Sequence, residues 1–150
     1  MNKLGYTEAE LRDRFISEIR ISQGYQAFPE VPVFTRSVDL VLQNHRTSEI
    51  TAIEFKLHDW KRAILQVQGV ALCFDHLSVC IPKPKTPAGE QSVMDACSKN
   101  EIGLYLYDRD NDTFIEVIES PKVETVWQRQ KERIMCYLEA NKYEYSSTHP

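Results

Sequence analysis

Three residues of this 150-residue chain have the types and spacing for metal-assisted phosphoryl chemistry: Asp39 in SVDLVLQ, and Glu54 and Lys56 in ITAIEFK. Each sits in a run rich in Val, Ile and Leu, the composition of a β-strand. Strand side chains alternate, so Val38, Leu40 and Leu42 are expected on one face and Asp39 and Val41 on the other. In the second run Ile53, Phe55 and Leu57 share a face, with Glu54 and Lys56 opposite. Paired as a hairpin, the two strands would converge Asp39, Glu54 and Lys56 on one side of a sheet. Two carboxylates and an ammonium on an apolar hairpin are costly unless paired or metal-bound. Hard oxygen ligands suit Mg²⁺ or Mn²⁺, and Mg²⁺ takes one or two carboxylates while keeping waters for substrate phosphate. Lys56 could then polarise an attacking water or offset charge building on phosphorus oxygens. The bland alternative is a solvated strand face with a surface salt bridge. Helices on both sides of the sheet favour the covered, functional one.

The elements that must position these residues follow from periodicity. Thr7 and Glu10 form a capping box for a helix carrying Leu11, Phe15 and Ile19, ending near Ser22 and stopping at Gly24. Tyr25 to Phe28 and Val31 to Phe34 read as extended pieces interrupted by Pro29 and Pro32. Val38 to Gln43 and Ile50 to Leu57 are strands joined by a polar turn from Asn44 to Glu49. Asp59 caps a helix whose Trp60, Ala63, Ile64, Val67 and Ala71 line one side. Leu77 to Ile81 is a strand, PKPKTP a loop, Ala88 to Lys99 a helix, and Gly103 to Tyr107 and Thr113 to Ile118 strands. A last helix, Val123 to Ala140, directs Trp127, Ile134 and Leu138 to the core. This alternation predicts an α/β domain over residues 1–142, a mixed central sheet flanked by helices, with a mobile tail at 143–150.

A leading helix, VDLVL, a short turn, AIEFK and a following helix with a glutamine together resemble the PD-(D/E)XK nuclease superfamily, over roughly Glu8 to Ala71. The resemblance implies a restriction-endonuclease-like fold and a Mg²⁺- or Mn²⁺-dependent phosphodiesterase, an endonuclease rather than an exonuclease, with DNA favoured over RNA. It assigns Asp39, Glu54 and the Phe55 carbonyl to the metal, and Lys56 to catalysis. Glu18 in the leading helix and Gln66 in the later one take the two supporting catalytic positions. Ser37-Val38 stand before Asp39 where the motif's name has a proline. An inactive relative serving as a binding or assembly module is the alternative. The plainer accounts are an i, i+4 pair with Arg14 for Glu18 and an exposed helix position beside Arg62 for Gln66.

The net charge of −4 excludes a protein that holds nucleic acid by bulk electrostatics. Binding would need a local basic patch, a divalent cation, a homodimer or a partner protein. Lys61 and Arg62 are the better candidates for backbone contacts. Lys83 and Lys85 also qualify, although a solvated loop is the favoured account. His58 is a site neighbour only because it follows the ExK strand. Asp108, Asp110, Asp112 and Glu119 match a calcium-loop spacing, but Thr113 replaces the required glycine, so a hairpin turn is expected. Four scattered cysteines without zinc-like spacing read as reduced core thiols of a cytoplasmic protein, and the charged N-terminal stretch is not a signal peptide.

Overall fold

The structure, a computed structural model, describes residues 6–22 and 24–148, with side chains described for 6–19 and 24–142. Helix α1, Glu8–Ser22, opens on the expected capping box. Thr7 Oγ1 accepts from Glu10 N and Glu10 Oε1 accepts from Thr7 N, both at 3.1 Å. Gly24, at φ +78°, turns the chain where a side chain would be strained.

Three strands then run as an antiparallel meander: β1 Tyr25–Val33, β2 Arg36–Asn44 and β3 Ile50–Phe55. Helix α2, Trp60–Gln68, and a 3-10 turn at Ala71–Cys73 lead to β4, His76–Pro82, parallel to β3. Helix α3, Pro87–Lys99, leads to β5, Gly103–Asp108, parallel to β4. Strand β6, Thr113–Ile118, returns antiparallel, and α4 spans Gln128–Thr148. The sheet order is β1-β2-β3-β4-β5-β6. The protein is therefore α/β, the described residues forming a mixed six-stranded sheet flanked by four helices.

Two apolar layers hold the helices to the sheet. Leu11, Phe15 and Ile16 of α1 pack with Leu40, Leu42, Ile53 and Phe55. Ala63, Ile64 and Val67 of α2, Val93 of α3, and Ile134 and Leu138 of α4 pack with Val41, Ala52 and Val79 on the other face. Asp75 is the polar anchor of the second layer. Its buried carboxylate accepts from Ile50 N and from Lys131 Nζ, each at 2.9 Å. Cys73, Cys80 and Cys97 are buried free thiols whose burial pushes their titration upward, whereas Cys136 is exposed.

Several details depart from expectation. Pro29 and Pro32 do not interrupt β1, because β1 is an edge strand and a missing N–H costs no ladder bond on its outer side. The last helix starts at Gln128, since the preceding segment is tied down by backbone hydrogen bonds. Val123 N donates to Asp75 O and Trp127 N to Leu72 O, each at 2.7 Å. Trp127 is accordingly 54% exposed rather than in the core. Backbone helix continues through the expected tail to Thr148, while residues 149–150 lie outside the described residues. No helix among the described residues is long and apolar enough to cross a membrane.

Candidate active site where two strands part

The β2–β3 ladder pairs Gln43 with Ile50 through to Leu40 with Ile53. One residue further, the Asp39 side chain replaces the main chain as partner: its Oδ2 accepts from Phe55 N at 2.8 Å. A carboxylate inserted into the ladder marks the strands parting there. The same irregularity explains why Val38 packs in the α2 layer while Leu40 packs against α1, against strict alternation.

Glu54 faces Asp39 across this gap. Its side chain is only 3% exposed, yet it carries a carboxyl group. Burial, the nearby Asp39 charge and a hydrogen bond shared with Asp39 push its pKa up to about 8, while Arg36 pulls the other way. Arg36 donates from Nη2 to Glu54 Oε1 at 2.8 Å and from Nη1 to the Gln66 carbonyl at 2.9 Å. It thereby clamps α2 to the acid pair. Arg36 was not anticipated: its partners lie 18 and 30 residues away, beyond any local spacing rule.

Lys56, two residues past Glu54, is mostly covered, with Nζ 3.7 Å from Glu8 Oε1. The other Glu8 oxygen accepts from Leu57 N at 3.1 Å. The leading helix therefore does bring a glutamate to the ExK strand, but from its first turn. Glu18 is elsewhere: its Oε2 accepts from Phe114 N, on β6. That strand lies three places from β3, about 14 Å at normal strand spacing. Ten helical residues, about 15 Å, separate the two glutamates. Glu18's predicted partner Arg14 also reaches this corner, bonding Asp112. Gln66 comes to the site through its main-chain carbonyl, with the side chain half-buried.

Lys61 and Arg62 stand exposed on the first turn of α2, behind the Asp59 cap whose Oδ1 accepts from Arg62 N at 3.3 Å. Lys83 and Lys85 are exposed beyond β4. The calcium-like acids do form a hairpin turn: Asp108 Oδ1 accepts from Asp110 N and Asn111 N. His76 bonds Ser120 O and Glu49 Oε1.

No protein-family model matches this chain, and no curated protein matches it. Among solved structures it is similar to the SPO1766 protein of unknown function from Silicibacter pomeroyi, with a TM-score of 0.68. The two are 18% identical, over 97% of this chain and 94% of that one. At such identity the likeness shows the fold alone.

Proposed function

We propose that the protein is a metal-dependent nuclease of the PD-(D/E)XK type, hydrolysing phosphodiester bonds with DNA as the favoured substrate. The observation that carries this reading is the contact between the Asp39 and Glu54 carboxyl groups where β2 and β3 part, with Lys56 two residues on. A buried acid facing a second acid is unfavourable by itself, and a divalent cation removes that repulsion. Besides the hydrogen bond they share, Asp39 commits an oxygen to Phe55 N and Glu54 one to Arg36. With the shared proton displaced, their facing oxygens would suit Mg²⁺ or Mn²⁺, with the Phe55 carbonyl as the further donor the resemblance implies. Such an ion supplies Lewis-acid polarisation of the phosphate. Lys56 would place positive charge where negative charge develops, and Glu8 holds its ammonium in place. Free thiols on all four cysteines agree with a cytoplasmic protein.

One observation favours a second reading, an inactive binding or assembly module. Arg36 already brings to Glu54 the positive charge that a cation would supply. A panel of labelled single-stranded, duplex and branched DNA and RNA, with Mg²⁺, Mn²⁺ or EDTA, separates the two. Lys56→Ala should cut about a hundred- to a thousandfold more slowly while retaining metal affinity. Asp39→Ala should lose both. A wild type that binds metal and cuts nothing would be the module.

A further inference from the structure

The loops following the three parallel strands enclose a cleft of about 710 Å³ that does not contain the carboxylate pair. Open α/β sheets bind ligands at this place, outside the carboxyl ends of their strands. One wall is apolar and aromatic, with Leu57, Trp60 and Tyr107. Lys83, Lys85 and Arg109 supply cations. The acids Asp59, Asp108 and Asp110 balance them in number, so the cleft is no general trap for a polyanion. Members of both sets are engaged locally: Asp59 caps α2, Asp108 closes the hairpin turn, and Lys85 and Arg109 each make an interaction of their own.

The Trp60 indole is half-buried, with Lys61 Nζ 5.6 Å from its ring centre. An exposed cation over an indole is weakly held, so a planar ligand can displace it. Leu57 is three residues past Glu54, about 10 Å along an extended chain. At about 3.4 Å per stacked nucleotide, the cleft opens within about three nucleotides of the carboxylates. The bases of a duplex keep their faces on their neighbours. Only an unpaired base can offer a face to an indole inside a recess.

We propose that this cleft seats an unpaired base of a single-stranded polynucleotide against Trp60, with Lys83 and Lys85 taking the adjoining phosphate. The seat depends on the cleft alone. Its consequence, that a single-stranded segment or end is cut in preference to intact duplex, rests on the nuclease reading.

The test uses the full chain with Ca²⁺ in place of Mg²⁺, and labelled twelve-residue oligo-dT, oligo-U and a hairpin duplex as probes. Anisotropy should show single strands binding at least about tenfold more tightly than duplex. Trp60→Leu should weaken single-strand binding by about ten- to a hundredfold, the range expected for losing one stacked base. Trp60→Phe should restore most of it, which a folding defect would not allow. In a Trp127→Phe background, oligo-dT should quench the remaining tryptophan. Lys83→Ala with Lys85→Ala should weaken binding and flatten its salt dependence. Duplex bound as tightly as single strands, or Trp60→Leu binding like wild type, overturns the seat. Trp60-dependent binding without cleavage under Mg²⁺ overturns the nuclease reading and leaves the seat standing. Duplex cleavage indifferent to Trp60 does the reverse.

Discussion

Raising the pH from 6 to 8 should tighten Mn²⁺ binding about fiftyfold, because the metal must displace a proton from Glu54. That acid is held at about 8 by burial first and by Asp39 second, against the pull of Arg36. Below this value a metal ligand must release its proton, so apparent affinity rises about tenfold per pH unit and levels off above 8. About a hundredth of Glu54 is ionised at pH 6 and about half at pH 8, which is the fiftyfold. The same shift has a consequence for the metal-free fold. A carboxyl raised from 4.5 to about 8 binds more protons folded than unfolded across that interval. Its contribution is therefore full below pH 4.5 and lost as pH rises to 8, by as much as about 5 kcal/mol at 1.36 kcal/mol per unit. Glu49 is held down to about 2 by Lys122 and then His76, so it acts in the opposite sense and below this window. Calorimetric Mn²⁺ titrations at pH 6, 7, 8 and 9, in buffers of different ionisation enthalpy, count the released protons directly. Urea unfolding in EDTA at pH 5 and 8.5 measures the stability term, and Glu54→Gln should remove its pH dependence. Mn²⁺ affinity that is flat from pH 6 to 8, with no proton released, would refute the assignment of Glu54 as a protonated ligand.

Three further outcomes follow from individual contacts. Glu18→Gln should leave metal affinity and cleavage at wild-type levels, since its carboxylate serves Phe114 N; a loss of metal binding in titration would contradict that placement. Glu8→Gln should slow cleavage by less than the loss of about a hundred- to a thousandfold assigned to Lys56→Ala, with Mn²⁺ affinity kept, because it loosens Lys56 without touching the acid pair. Lys131→Met should cost about 3–5 kcal/mol in urea unfolding by leaving the Asp75 carboxylate buried and unpaired, and Asp75→Asn in the same chain should recover part of it.

Local chemistry was enough to read the elements. The Thr7–Glu10 box, the Asp59 cap, the β5–β6 hairpin and the inward Ile134 and Leu138 each depend on residues a few places apart, and each forms as read. Asp39, Glu54 and Lys56 were visible because polar residues interrupt otherwise apolar strands. What tertiary structure decided is which distant groups meet them. Nothing local distinguishes Glu8 from Glu18, both on α1. One reaches Leu57, 49 residues away, and the other Phe114, 96 residues away. Arg36 looks like any strand-end arginine until α2 folds back and offers the Gln66 carbonyl beside Glu54. Trp60 reads as one more residue of an apolar helix stripe, and becomes a cleft wall only when three strand ends and their loops are assembled around it. Periodicity encodes which face of an element is apolar. It carries no information about the partner that face will find, because that depends on strand order and helix docking summed over the whole chain.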